Sequence, residues 1–235
     1  MGTPRTTAGR ARAVAARLAE EYPGTARELC ALEFSTPFEL LAATILSAQC
    51  TDARVNAVLP ELFANFPDAQ AFASADPGVL EGIIYSTGFF RAKAKSLIGM
   101  ASAVVETYGG EVPTDLADLV TLPGVGRKTG NVLRSVAFDL PGLPVDTHVG
   151  RLARRLGWTS ATDPVKVEAD LCRLVPPKEW GGLSLRLILH GRAVCGARSP
   201  RCGVCLLADL CPSAGLGAAS ALRREKGSAP LSGGR

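Results

Sequence analysis

The sequence predicts an all-α globular protein. Three observations carry that expectation. Apolar residues recur at helical spacing in nearly every segment between turn signals, and alternation of period two over five or more residues is scarce. The 235 residues, 47% hydrophobic and 20% charged, are globular in composition, and at about 150 residues per domain the length falls between one domain and two.

Taken in order, the helix-forming segments are 10–21, 37–48, 52–66, 76–84, 91–108, 114–121, 127–138, 147–157, 163–175 and 183–193. Breakers separate them: Pro23-Gly24, Pro67-Asp68, Gly88, Gly109-Gly110, Pro123-Gly124, Pro141 to Pro144, Pro176-Pro177 and Gly181-Gly182. After Cys211 the periodicity gives way to Gly, Ala and Ser, so 214–235 reads as a flexible tail.

The longest apolar stretch, Leu40 to Ala48, is far shorter than the roughly 18 to 20 residues of a membrane-spanning helix, so no membrane partner is expected. The basic N-terminal stretch has no apolar core of a secretion signal; a transit peptide is the alternative. Lys and Arg number 26 against 22 Asp and Glu, a net charge of +4. Arg5, Arg10, Arg12 and Arg17 precede the first acid, Glu20, and Arg186, Arg192, Arg198 and Arg201 share their stretch with Asp209 alone. Such clusters mark either a polyanionic partner, whose counterions they release, or a solvated basic surface.

Seven cysteines without a secretion signal argue against a disulfide framework. Cys30, Cys50 and Cys172 stand singly in apolar surroundings and read as core residues. The other four form Cys195-x6-Cys202-x2-Cys205-x5-Cys211, with Gly196, Pro200 and Gly203 to bend the backbone. Four thiolates this dense hold either a tetrahedral zinc or a [4Fe-4S] cluster. Only one C-x2-C pair is present, where zinc ribbons usually carry two.

Thr114 to Phe138 reads as two short helices joined by the turn Leu122-Pro123-Gly124-Val125-Gly126. Thr114 is the expected cap of the first, whose Leu116, Leu119 and Val120 share one face. Glycines at 124 and 126 permit close approach, so the turn's amides can meet a phosphate, although a hairpin that only packs on its neighbours uses the same residues. Lys128 lies in the first turn of the second helix, where the dipole favours a neutral amine able to form a Schiff base. The alternative is a phosphate contact beside Arg127. Asp146 precedes a helix with the stripe Val149, Leu152, Ala153 and Leu156, and is either its N-cap or a working carboxylate.

Together these residues resemble the helix-hairpin-helix DNA glycosylases, and within them the endonuclease III branch. The likeness rests on LSAQCTD (46–52), EVPTDL (111–116), LPGVGRKTGNV (122–132), VDTHVGRLARRLG (145–157), LILHGRAVC (187–195) and the four-cysteine loop. The resemblance implies a [4Fe-4S] cluster on Cys195, Cys202, Cys205 and Cys211. It also implies a DNA-binding hairpin over Leu122, Pro123, Gly124, Val125, Gly126 and Arg127, with Lys128 as nucleophile and Asp146 as the essential carboxylate. A six-helix domain over 30–140 carries the hairpin, and 1–29 with 141–213 forms the cluster domain. The implied activity is removal of oxidised pyrimidines from double-stranded DNA and strand cleavage at the abasic site, by a monomer in the bacterial cytoplasm at the nucleoid. Extrusion of the damaged nucleotide needs a wedge and a probe of the orphaned base, which the resemblance places at Phe89 and Gln49.

Three positions depart from the family pattern: Phe89 and Phe90 replace the usual Leu and Tyr, and Cys50 replaces a small residue. Two further readings remain. An adenine glycosylase shares the hairpin, aspartate and cluster loop but lacks a lysine at 128. A non-catalytic, redox-sensing DNA-binding protein needs neither Lys128 nor Asp146. The arginines at 127, 151, 154, 155, 186, 192, 198 and 201 are the candidates for phosphate contact.

Overall fold

Short polar caps set most helix starts. In this computed structural model, which describes residue 4 and residues 6–215, Thr6 accepts the Gly9 N–H at the head of α1 (Thr7–Glu21). Thr36 does the same for Glu39 in α2 (Pro37–Leu46), Thr51 for Arg54 in α3 (Asp52–Asn65), and Asp68 for Ala71 in α4 (Ala69–Ala73). Asp76 opens α5 (Pro77–Ile84). The start of α6 (Phe90–Tyr108) differs, because Phe89 stands at its N-cap in left-handed conformation with no side-chain cap. Asp115 opens α7 (Leu116–Leu119), and α8 (Arg127–Val132) runs into a π-helical turn at Leu133–Ala137. Asp146 caps α9 (Thr147–Arg155), Asp163 caps α10 (Pro164–Cys172), and α11 spans Trp180–Ala193. Pro in the first turn of α2, α5 and α10 strengthens three of these starts, since its missing N–H has no intrahelical partner there.

The fold is all-α, and among the described residues extended pairing is confined to one isolated bridge between Cys195 and Pro200. Three local details depart from the sequence reading. Helix α4 was not expected. The cap of α7 is Asp115, whose Oδ1 accepts the Ala117 N–H at 2.8 Å, while the Thr114 carbonyl accepts from Arg134 Nη1. The segment 127–138 is not one α-helix. The Ser135 hydroxyl donates to the Asn131 carbonyl at 2.8 Å, and past that point the ladder steps to the longer Phe138-to-Leu133 bond.

The chain forms two compact units. One comprises 24–144 and 176–185; the other comprises, among the described residues, those up to 23, 145–175 and 186–215. Against the expected ranges, 24–29, 141–144 and 176–185 join the hairpin-bearing unit. For 176–185 the reason is local: the Ser184 hydroxyl donates to the Pro144 carbonyl, and Gly181 lies so near Ser135 that a Cβ there would fall 2.5 Å from the serine Cβ. The residues of the expected tail from 216 onward lie outside the described residues, as does Arg5.

In the hairpin-bearing unit, α2 is apolar all round and buried, with α3, α6 and α8 packed on it. Phe72 of α4 is fully buried against Phe38 and Phe66, each at a ring separation of 5.4 Å. Burial of each such side chain contributes about 1.5–3 kcal/mol. Cys30 and Cys50 pack against this core as expected. The other unit is built on Val14 and Leu18 of α1, Val149 and Leu152 of α9, Leu171 of α10 and Leu210. Among the described residues no helix is long and apolar enough to cross a membrane.

Candidate active site

The hairpin is anchored from below and open above. Leu122 and Val125 are buried, Pro123, Gly124 and Gly126 are exposed, and the Val125 N–H donates to the Leu122 carbonyl at 3.0 Å to close the turn. Gly124 has φ +79°, and a Cβ there would lie 2.9 Å from the Ser96 Cβ. Only glycine satisfies both conditions. Gly126 begins α8 without a side-chain cap. Arg134 fixes the hairpin's base, donating from Nη1 to the Thr114 carbonyl and from Nε to the Pro141 carbonyl at 2.9 Å.

Lys128 is the second residue of α8 and is exposed, one turn above that anchored base. Asp146 is half-buried at the start of α9, with Oδ1 accepting the Val149 N–H at 2.8 Å. Lys128 belongs to the hairpin-bearing unit and Asp146 to the other.

All four cysteines of the C-terminal loop line one cavity of about 380 Å³, together with Arg155 and Arg198. Arg155 Nη1 donates to Cys195 Sγ at 3.1 Å, and His190 Nε2 lies 3.3 Å from Cys205 Sγ. Burial, with the neighbouring thiols adding to it, pushes the Cys205 and Cys211 thiols above their ordinary range. Thiolates held against that desolvation call for bound cationic charge among them. The donor set, four sulfurs around one cavity with the Arg155 guanidinium donating to one of them, fits an iron-sulfur cluster.

Residues 42–177 match the model of the HhH-GPD superfamily of base excision DNA repair proteins, and residues 195–211 match the iron-sulfur binding domain of endonuclease III. The endonuclease III of Synechocystis sp. is 55% identical over 194 residues, covering 82% of this chain and 87% of its own. The chain belongs to the endonuclease III family. Two solved structures of that family superpose closely. A non-covalent endonuclease III-DNA complex gives a TM-score of 0.83 at 38% identity, covering 93% of this chain and 99% of its own. A trapped endonuclease III-DNA covalent intermediate with an estranged adenine gives 0.82 at 40% identity, covering 89% and 97%. As an endonuclease III family member the protein is a DNA glycosylase with abasic-site lyase activity in base excision repair, and it carries a [4Fe-4S] cluster.

Two further positions are those the sequence put forward as orphan-base probe and wedge. Gln49 and Phe89 are both exposed, Phe89 at 67%, and both have left-handed backbone, at φ +54° and +49°. That conformation costs a side-chain-bearing residue about 1–2 kcal/mol. Phe90 turns the other way: it packs on the core, with its ring 4.8 Å from that of Tyr85. Sequence reasoning missed Lys93, which is 4% exposed and donates from Nζ to the carbonyls of Leu46 and Thr87, each at 2.8 Å. Its signal was present in the pattern, because Lys93 falls on the same helical face as Leu97, Met100, Ala101 and Val104. Burial lowers its pKa from the ordinary lysine value.

Several of the arginines named as candidates for phosphate contact turn to the protein's own carbonyls. Arg155 donates to the carbonyls of Gly196 and Ala197 at 2.8 Å, and Arg151 to those of Gly191 and Cys195 at 3.1 Å. Arg186 Nε donates to the Tyr22 carbonyl at 2.9 Å, and Arg201 to that of Ala193. These four hold the cluster-bearing unit together. Arg201 is nonetheless exposed, as are Arg127, Arg154, Arg192 and Arg198, and Arg154 Nη1 donates to the Ala161 carbonyl at 3.3 Å.

Proposed function

We propose that this chain excises oxidised pyrimidines from double-stranded DNA and then breaks the strand, with Lys128 as nucleophile and Asp146 as the carboxylate that stabilises the reacting sugar. The observation that carries the reading is an exposed lysine in the first turn behind a rigid glycine hairpin. The exposed backbone N–H groups of Gly124 and Gly126 meet the phosphodiester, which brings Lys128 to the deoxyribose. A non-planar oxidised base stacks poorly and is extruded at lower cost.

The Lys128 amine attacks C1′ and loses a proton to solvent as the C–N bond forms. The N-glycosidic bond breaks, and the base leaves with the bonding pair and gains a proton. The sugar ring opens to a protonated Schiff base, whose C2′ proton is then abstracted. The C3′–O bond breaks by β-elimination, and water releases Lys128. The Asp146 carboxylate, whose Oδ1 accepts the Val149 N–H, offsets the positive charge that builds at C1′. The covalent intermediate described for the solved relative is the species such a lysine gives, and its estranged adenine is the base that Gln49 would face here while Phe89 fills the gap. Cys195, Cys202, Cys205 and Cys211 hold the cluster, which cross-links the loop. The protein works as a monomer on the nucleoid in the bacterial cytoplasm.

Borohydride trapping on an abasic duplex tests the assignment. Wild type gives a covalent adduct and Lys128→Ala gives none, at about equal affinity for undamaged DNA; an undiminished adduct removes Lys128 from the role.

A further inference from the structure

The two left-handed turns that carry Gln49 and Phe89 come from distant parts of the chain, and one buried ammonium joins them. Leu46 is the last residue of α2, three before Gln49, and Thr87 closes a 3-10 turn two residues before Phe89. Lys93 Nζ lies 2.8 Å from both carbonyl oxygens, so those oxygens are no more than twice that distance apart. The backbone N–H of the same residue donates to the Phe89 carbonyl at 3.0 Å. One residue therefore holds Phe89 through its main chain and the Gln49 turn through its side chain.

A neutral apolar residue of equal length would fill the same space, and the α6 face around it is apolar. The chemistry asks for an ammonium instead. Carbonyls at helix ends carry the negative end of the helix dipole and lack intrahelical donors. Two of them converging on a buried point repel each other and lose their water unless a shared donor stands between them. Among the described residues the non-glycine positions with left-handed φ are Gln49, Phe89 and Asp139, so the ammonium sits beside two of the three strained residues. Such strain persists only where the surroundings over-determine it.

We propose that Lys93 is the positioning residue for nucleotide extrusion: its ammonium locks the Gln49 turn to the Phe89 turn, so that both side chains enter the duplex as one rigid probe. The proposal rests on the reading of Gln49 and Phe89 as the orphan-base and wedge residues. Lys128 chemistry on a base-free sugar does not need it.

The test is Lys93→Met in the cluster-loaded enzyme, with Lys93→Gln, which retains a donor, where the methionine variant fails to accumulate. Amide hydrogen exchange in free protein reads the lock directly. Exchange at 47–50 and 86–89 should quicken about tenfold or more, with the hairpin at 122–126 unchanged. Unchanged exchange at either turn overturns the proposal. Single-turnover excision of thymine glycol should slow about tenfold, and cleavage at a preformed abasic site less than about threefold. Fluorescence of 2-aminopurine beside the lesion should rise less on binding. Equal losses on both substrates would make Lys93 a core residue and overturn the proposal. Phe89→Ala separates the two readings. In the wild-type background it should reproduce the excision defect, and added to Lys93→Met it should cost little more. If Phe89→Ala alone leaves the fluorescence change intact, the wedge reading fails, while quickened exchange at both turns still establishes the lock.

Discussion

The Asp146 carboxylate accepts the Val149 amide at 2.8 Å, closing the first turn of α9 with one of its two oxygens. Cap and charge can therefore be separated. Asparagine caps a helix about as well as aspartate. Asp146→Asn should unfold within about 0.5 kcal/mol of wild type in urea yet lose about a hundredfold or more in single-turnover base release. Retained turnover would leave Asp146 as a cap alone.

Gly124 combines a positive φ with a wall formed by Ser96. Gly124→Ala should cost about 1–2 kcal/mol of stability or more, measured by urea titration. Affinity for undamaged duplex should fall with it, while iron content stays at the wild-type level. A stability loss below about 0.5 kcal/mol would show that the turn relaxes freely.

The purified protein should be yellow-brown with about four irons per chain. Cys202→Ser should lower both iron and soluble yield. Arg17 ties α1 to the loop, donating to the Leu206 carbonyl and to Asp209 Oδ2, each at 2.8 Å. Iron removal by chelation should therefore expose α1 as well as 195–211 to protease, with α2 and α3 remaining protected. Stoichiometric zinc in anaerobically prepared protein would reject the cluster.

Arg127 and Arg155 should respond to mutation in opposite ways. Arg127 is exposed beside the hairpin, so Arg127→Glu should weaken binding to all duplexes and lower the slope of log affinity against log salt by about 1 or more. Arg155 spends its donors on Cys195 Sγ and the carbonyls of Gly196 and Ala197. Arg155→Gln should lower iron retention and leave the salt slope unchanged. A fall in slope for Arg155→Gln would place that guanidinium on the phosphates.

Much of this molecule was legible before any coordinates. Helices 52–66 and 91–108 were placed to within a residue of α3 and α6, because long apolar periodicity and flanking breakers agree there. Helix α4 escaped because five residues span too little to show a period. Thr114 and Asp115 are both good cap types, and the choice between them lies in backbone geometry. The surroundings of the arginines were hidden for a related reason: charge counts do not show that Arg151, Arg155, Arg186 and Arg201 donate to carbonyls of the same unit. The hairpin and cysteine spacing were readable since each is local in sequence. Lys93 acts between Leu46 and Thr87, a pairing that the fold alone creates.

The cluster-bearing unit is assembled, among the described residues, from those up to 23, 145–175 and 186–215, whereas most of the other unit is one continuous run, 24–144. A ribosome therefore releases the hairpin-bearing fold first, while α1 waits for partners nearly two hundred residues downstream. The link between Arg17 and Asp209 forms only after the last ligand-bearing stretch has left the exit tunnel. Contacts of such separation are slow to close. The four cysteines are therefore complete only once Cys211 has emerged, and a nascent chain cut short before that point lacks the Arg17–Asp209 tie on α1.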